Sequence, residues 1–376
     1  MKLKAFRAFG LAAIAALVSV ACGGGDDDNP PPLVTIGRMV SFGDSLSDVG
    51  SYRTPVVAAA YGGGKYTIND IAGGTDKIWT ERIAEALGLP AECAAQTGLE
   101  SSGDFAPLAA PVTNVPGCYS YAQGGSRVTN PVGPWNKALL DQVPPDPRGL
   151  LGQLTKPIVE QIQRHLAASG GAFAADDLVT IAGGGDDAFE NLVTVARTVA
   201  AGGNATAAGQ AAVAAMGQAG GELAAYVKAL IVGKGAKQVV IFTLPDVSEA
   251  PDSDAFDQAT RDLVQMMSFT FNAYLADGLK GIPEVLLVDG YAMFQDVVRN
   301  PARYGLDNAT EVACADLPAP IGRPYSLFCS TATLKPGIDA SRLAYSDGSH
   351  PSPKGSQIIA DTALAAMRQR GWAPAN

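Results

Sequence analysis

Five short runs of mostly apolar residues recur along the chain, at 38–42, 118–122, 178–182, 238–244 and 285–289, and segments of helical periodicity lie between them. No other feature constrains the fold as strongly. Runs of this length that are apolar on both faces fit strands buried on both sides, and such strands separated by helices read as a parallel sheet covered by helices. Covering helices are predicted over 78–87, where Ile78, Ile83 and Leu87 share a face, at Ile158, Ile162 and Leu166, and over 205–232, 256–279 and 356–370. Ala and Gly dominate 202–221, yet Val213, Met216, Leu223, Tyr226, Val227 and Leu230 supply a buried stripe. The reading there is a helix with weak spots at Gly217 and Gly220–Gly221. The sequence shows no internal repeat and no second core, so residues 38–376 are expected to form one α/β domain around a five-stranded parallel sheet. Loop insertions fall near 89–119, 127–154 and 305–346. The first two are Pro/Gly-rich and are expected to overhang the sheet's carboxyl edge, where such loops shape access to a site.

The amino end has a different character. Lys2, Lys4 and Arg7 precede an apolar run over 8–20 that ends in small residues before Cys22. A spanning helix needs about 20 apolar residues, so this run reads as an export signal over 1–21. Ser19-Val20-Ala21 suits an ordinary signal peptidase, while Val18 to Cys22 resembles a bacterial lipobox with Ser19 in the usual leucine place. The lone Cys22 and the Gly/Asp/Pro-rich tether over 22–37 favour lipid on Cys22, hence an outer-membrane or cell-surface lipoprotein. The alternative is a periplasmic or secreted protein in which Cys22 is incidental. Cys93, Cys118, Cys314 and Cys329 remain as an even set, for which disulfides are the default in an exported chain. Three connectivities are open. The local one, Cys93 with Cys118 and Cys314 with Cys329, closes two short loops, each bridge adding about 2–4 kcal/mol.

Composition removes several classes of function. A formal charge of −10 leaves no basic footprint for nucleic acid. His165 and His350 are the only histidines, and the cysteines lack zinc-ligand spacing, so no metal is expected. The Gly-rich stretches form neither a phosphate loop nor a dinucleotide fingerprint, and Gly-x-Ser-x-Gly is absent, so cofactor-free chemistry is the consistent expectation.

Chemistry-bearing residues appear at both ends of the sheet pattern. In Ser41-Phe42-Gly43-Asp44-Ser45-Leu46, a serine follows a buried strand on a glycine turn, which presents its oxygen at the sheet's carboxyl edge. Near the last helix, Asp347-Gly348-Ser349-His350-Pro351 carries a histidine to serve as base and a carboxylate to orient it. Read alone, the first is a capped turn and the second an exposed histidine at a helix start. His165 lacks a serine or carboxylate at motif spacing and reads as part of an exposed helix face.

Taken in order, these blocks resemble the GDSL or SGNH hydrolase superfamily over nearly the whole chain after the leader. Gly43-Asp44-Ser45-Leu46 matches the nucleophile block, Tyr119 to Ser126 resembles the block usually written Asn-Tyr-Ala-x-Gly-Gly, Gly183 to Asp187 resembles Gly-x-Asn-Asp, and Asp347-x-x-His350-Pro351 fits without departure. Leu244-Pro245-Asp246, and Asp289 through Tyr304-Gly305, resemble features of the exported bacterial esterases, lipases and lecithinase-like phospholipases. The resemblance implies a three-layer, flavodoxin-like fold. It also implies a catalytic set of Ser45, Asp347 and His350, and an oxyanion hole that includes the N–H groups of Ser45 and Gly125.

One position departs from the pattern. Asp186 stands where the family has an oxyanion-binding asparagine, and an ionised carboxylate only accepts hydrogen bonds. Asp186 either stays protonated, is replaced by another donor, or disables the site; the expectation is a working but weakened hole. The resemblance implies an ester substrate, lipid or acylated saccharide, cleaved through an acyl-enzyme on Ser45. A phospholipase, an acyltransferase and a carbohydrate O-deacetylase would use the same residues. The alternative of a different class is a lipid-anchored binding protein that keeps the fold without the activity. Trp135, Tyr119 and Tyr121 are candidates to line a sugar or an acyl chain.

Overall fold

A computed structural model of the chain describes residues 32–70 and 72–375. The leader, Cys22 and most of the tether lie outside those residues. In chain order the elements are β1 (Arg38–Gly43), α1 (Pro55–Tyr61), α2 (Trp79–Ala86), β2 (Gln96–Leu99), β3 (Ala110–Asn114), α3 (Ile158–Ala168), β4 (Asp177–Ala182), α4 (Gly185–Ala200), α5 (Ala205–Tyr226), β5 (Gln238–Phe242), α6 (Gln258–Leu279), β6 (Val285–Val288), α7 (Gly290–Arg299), β7 (Asn308–Val312), β8 (Leu343–Tyr345) and α8 (Pro353–Gln369). No described helix is long and apolar enough to cross a membrane.

The central sheet is parallel throughout, in the order β1-β4-β5-β6. Its strands are buried on both faces, and alternate residues feed different layers. Val179, Ile181, Val239 and Ile241 pack with α3, α5 and α6 through Ile158, Ile162, Met216, Leu223 and Phe271. Leu178, Ala182, Val240 and Phe242 face the other way, against Trp79 of α2, Met293 of α7, and Ile359 and Met367 of α8. The result is the three-layer α/β architecture that the apolar runs predict.

The fifth expected strand, 118–122, is corrected to an isolated bridge. It runs parallel to β1, with Ser41 donating to the Tyr119 carbonyl at 3.1 Å and Tyr121 donating back to Ser41 at 2.7 Å. A disulfide from Cys118 to Cys93 and a second bridge from Ser120 to Ala94 hold the segment from its other side. With this segment placed beside β1, the order across the sheet is 118–122, β1, β4, β5, β6, the flavodoxin-like arrangement, in which the strand order reverses at β1.

Three further differences concern packing. The glycines of α5 are contact points, not weak spots: a Cβ on Gly220 would stand 2.2 Å from the Phe271 carbonyl oxygen of α6. α5 and α6 therefore touch backbone to backbone at this point. The loop insertions also build an apolar cluster of their own, which the sequence did not predict. Leu99 and Leu108 come from the first insertion, Leu151 and Leu154 from the second, and Leu317, Leu327 and Phe328 from the third, around Tyr52 and Tyr66. Finally, α1, α4 and α7 fall where no helix was expected. The disulfides pair locally, Cys93 with Cys118 and Cys314 with Cys329, across sequence separations of 25 and 15.

Candidate active site

The carboxyl end of β1 sets the site. Gly43 has φ +144°, and a Cβ there would stand 2.1 Å from the Ala182 carbonyl oxygen of β4, so only glycine allows this approach. Gln161 of α3 clamps the same residue on both sides, accepting its N–H at 2.9 Å and donating to its carbonyl at 2.8 Å. The chain then turns sharply at Ser45–Ser47, capped by Asp44, which accepts the Leu46 N–H at 3.0 Å. Ser45 is thereby held at the sheet's edge with its side chain turned into a cleft.

His350 reaches the same point from the turn before α8. Its Nε2 lies 2.9 Å from Ser45 Oγ, across 305 residues of sequence. Its Nδ1 lies 2.8 and 3.0 Å from the two oxygens of Asp347. A carboxylate facing Nδ1 fixes the proton there in the neutral ring and leaves the Nε2 lone pair toward the serine. Asp347 is itself pinned, accepting N–H groups from Ser326 at 2.7 Å, Ser349 at 3.0 Å and His350 at 2.9 Å. Burial works to raise its pKa, but the imidazole and these donors outweigh burial and hold the carboxyl far below the usual range. On His350, burial favours the neutral ring; Asp347, Asp252 and Asp44 outweigh it, so the pKa is raised. Asp252 also braces the turn. It donates its N–H to the Gly348 carbonyl at 3.0 Å and accepts the Ser349 hydroxyl at 2.6 Å.

Facing Ser45 across the cleft is the Gly124–Gly125 peptide. Tyr52 donates its hydroxyl to the Gly124 carbonyl at 2.8 Å, and the Gly124 N–H goes to buried Asp48 at 2.9 Å. The carbonyl and N–H of a trans peptide point opposite ways, so fixing the carbonyl turns the Gly125 N–H away from Tyr52. Gly125 has φ +83°, and a Cβ there would meet the Pro134 carbonyl oxygen at 2.7 Å. Neither the Ser45 nor the Gly125 N–H donates to another group among the described residues. Two unpaired backbone donors beside a hydroxyl and a base suit an anion that forms during a reaction.

Asp186 completes this wall from the first turn of α4, and its Oδ2 is covered and unpartnered among the described residues. Burial above all, then Asp44, Asp187 and Glu190, push its pKa well above the ordinary carboxyl value; only Arg127 opposes them. These influences favour the protonated form, which has a hydrogen to donate, over the carboxylate, which only accepts. Asp187, its neighbour, is spent elsewhere, accepting the Arg127 side chain and the Val128 N–H, both at 2.9 Å.

The cleft measures about 240 Å³ and is mostly apolar, with Leu192, Leu244, Val247 and Phe256 among its walls. Leu244-Pro245-Asp246 lines it, whereas Asp289 caps α7 away from it, accepting the Ala292 N–H at 2.9 Å. Of the aromatic candidates only Trp135 lines it. Tyr121 is buried against Phe42, and Tyr119 stacks under the Arg38 guanidinium. His165 is also corrected: it is buried, packed against Phe173 at 4.5 Å and Tyr121 at 5.4 Å, and burial pulls its pKa down to about 4. Its place seven residues after Ile158 puts it on the buried stripe of α3, a signal the helix spacing did carry. Gln161, Asp48, Tyr52 and Asp252 are functional residues that motif reasoning missed.

The family model for GDSL-like lipase/acylhydrolase matches residues 39–363. Among curated proteins, one described as an uncharacterized protein in the trpE-trpG intergenic region of Pseudomonas putida is 25% identical over 334 residues, covering 88% of this chain and 48% of its own length. A GDSL esterase/lipase of Arabidopsis thaliana is 28% identical over 145 residues, covering 36% of this chain and 40% of its own length. The chain thus spans under half the length of both curated relatives. Among solved structures, an extracellular lipase from Streptomyces rimosus aligns at 15% identity with a TM-score of 0.40, covering 87% of this chain and 99% of that one.

Proposed function

Because the chain belongs to the GDSL-like lipase/acylhydrolase family, a family of ester hydrolases, we propose that it is a serine-dependent carboxylic ester hydrolase that works through an acyl-enzyme on Ser45. The observation that carries this reading is the continuous chain from Ser45 Oγ through both ring nitrogens of His350 to Asp347. His350 Nε2 takes the hydroxyl proton as Ser45 Oγ attacks the ester carbonyl carbon, and Asp347 offsets the charge on the imidazolium. The negative charge on the former carbonyl oxygen is met by the N–H groups of Ser45 and Gly125 and, while it holds its proton, by the carboxyl of Asp186. The C–O bond to the alcohol then breaks, with the His350 proton passing to the departing oxygen. Water, deprotonated by the same ring, attacks the acyl-enzyme; the bond from the acyl carbon to Ser45 Oγ breaks, His350 returns its proton to that oxygen, and the acid leaves. An alcohol in place of that water makes the same site an acyltransferase.

The apolar walls favour an acyl chain over a bare acetyl group. An esterase or lipase therefore fits better than a saccharide O-deacetylase. The same reading takes the protein outside the cytoplasm, since paired cysteines persist in oxidising compartments, and lipid on Cys22 would anchor it to a membrane.

The test is hydrolysis of p-nitrophenyl esters from acetyl to long acyl chains by the purified protein and by Ser45→Ala. Turnover is expected to vanish in the variant while its fold and disulfides remain intact. Full activity in a pure variant sample would sink the assignment, and inactivity of both proteins on every ester would favour the binding-protein alternative.

A further inference from the structure

The cleft has an uneven distribution of charge. Asp44, Asp186, Asp246, Asp252 and Asp347 line it, and Arg323 is the one permanently charged cation among its described lining residues. Elsewhere arginines sit on carboxylates: Arg38 on Asp177, Arg53 on Asp76, Arg127 on Asp187 and Arg148 on Asp146. Arg323 has no such partner among the described residues. Its exposed guanidinium instead lies over two aromatic faces, 5.0 Å from the Trp135 ring and 5.4 Å from the Tyr325 ring. Stacking of this kind orients the planar group and leaves its N–H edge free for an anion.

The mounting is built by two separate insertions. Trp135 adopts φ +67°, a conformation rare for a bulky residue, and its carbonyl is tied by the Gln153 N–H at 2.9 Å. Gln153, fully buried, donates its amide to the Tyr325 hydroxyl at 2.7 Å, which leaves its Oε1 without a partner on the cleft wall. A run of rings then leads from this corner to the base: Tyr325 meets Tyr66 at 6.1 Å, and Tyr66 meets His350 at 4.8 Å. His350 delivers its proton to the departing alcohol, and this run of rings sets the Arg323 corner on the His350 side of the cleft, within reach of the alcohol portion.

Building on the esterase reading above, we infer that Arg323, on its Trp135–Tyr325 platform, recognises an anionic group on the alcohol portion of the ester, a phosphate or a carboxylate. The carboxylates of Asp44, Asp246, Asp252 and Asp347 elsewhere in the cleft disfavour the same group and make the placement one-sided.

The test uses three esters with one acyl chain: 1-octanoylglycerol, its 3-phosphate, and 3-octanoylglycerate. Wild type should prefer the anionic esters in kcat/KM. Arg323→Gln should lose about tenfold on them, carried by KM, with the neutral ester unchanged. Arg323→Lys should restore part of the loss. A loss on the phosphate ester alone identifies phosphate as the group read; a loss on both assigns the corner to anions in general. Equal anionic-to-neutral ratios in wild type and Arg323→Gln would overturn the inference. Calorimetric binding of 1-octanoylglycerol 3-phosphate to Ser45→Ala, with and without Arg323→Gln, reads recognition without turnover: a tenfold weaker Kd supports the inference and an unchanged Kd refutes it. Failure of wild type to cleave any ester would refute the hydrolase reading, and that result is distinct from both.

Discussion

Replacing Asp186 by asparagine tests the oxyanion hole most sharply. Asparagine has the same shape and donates at every pH, whereas the carboxyl donates only while protonated. The groups facing Asp186 settle the direction of its pKa. Burial is the largest influence, Asp44 acts from the turn after β1, Asp187 and Glu190 act from α4, and Arg127 alone opposes them. The proton is therefore kept to a pH well above the usual carboxyl range. Below that point both proteins present a third donor and should turn over alike. Above it the wild type loses its donor and sets a negative charge beside the forming oxyanion, while the variant keeps its amide. One such donor is worth about 10²–10³ in kcat, so the ratio of variant to wild type should climb about tenfold per pH unit toward a plateau of that size. His350 titrates in both proteins and cancels from the ratio. Stability carries the same sign. The folded state holds this proton more tightly than the unfolded chain, so wild-type stability falls as pH rises from the ordinary value of 3.8 to the raised one. The variant escapes that fall and should melt at a higher temperature at neutral pH. Acid release followed in a pH-stat between roughly pH 5 and 9 gives kcat for both proteins. An Asp186→Ala variant that keeps the wild-type kcat across the range would remove Asp186 from the hole.

Two further substitutions probe groups that position the machinery. Tyr52→Phe removes the hydroxyl that fixes the Gly124 carbonyl, so the Gly125 N–H should lose its aim. A drop in kcat of about tenfold with KM nearly unchanged is expected, and a change confined to KM would refute the role. Asp252→Asn removes a negative charge that raises the His350 pKa. Activity needs the neutral ring, so the acid limb of the kcat/KM profile should move to lower pH, with the plateau changing by less than about fivefold; an unmoved limb would separate Asp252 from the base.

How much of this was legible depends on whether the signal was local. The strands of the central sheet could be read because burial on both faces leaves an apolar run at each one. The segment at 118–122 has the apolar character of a strand, but its pairing is decided by the Cys93–Cys118 bridge and by Ala94, which no periodicity records. Helix α4 was obscured because Gly183-Gly184-Gly185 looks like a loop. Asp186 and Asp187 in its first turn are nonetheless a start signal of the kind the helix dipole favours. The cluster made by the loop insertions was beyond reach, since Leu99, Leu151 and Leu327 meet only after the chain has folded back on itself twice.

The site divides along the same line. Ser45, Asp347 and His350 are chemically conspicuous and sit at a strand end and a helix start, so their order along the chain could be read even though 305 residues separate the serine from the base. The residues that hold them carry no such mark. Gln161 looks like a polar residue of an amphipathic helix, yet three positions after Ile158 it falls on the buried stripe, where its amide pairs with both the N–H and the carbonyl of Gly43. Asp48 and Tyr52 fix the two peptides that meet at Gly124, Asp48 through its N–H and Tyr52 through its carbonyl. A nucleophile and a base can be named from residue type, because few side chains do that chemistry. A group that aims a backbone N–H can be almost any donor or acceptor, and only the three-dimensional position of the peptide it aims identifies it.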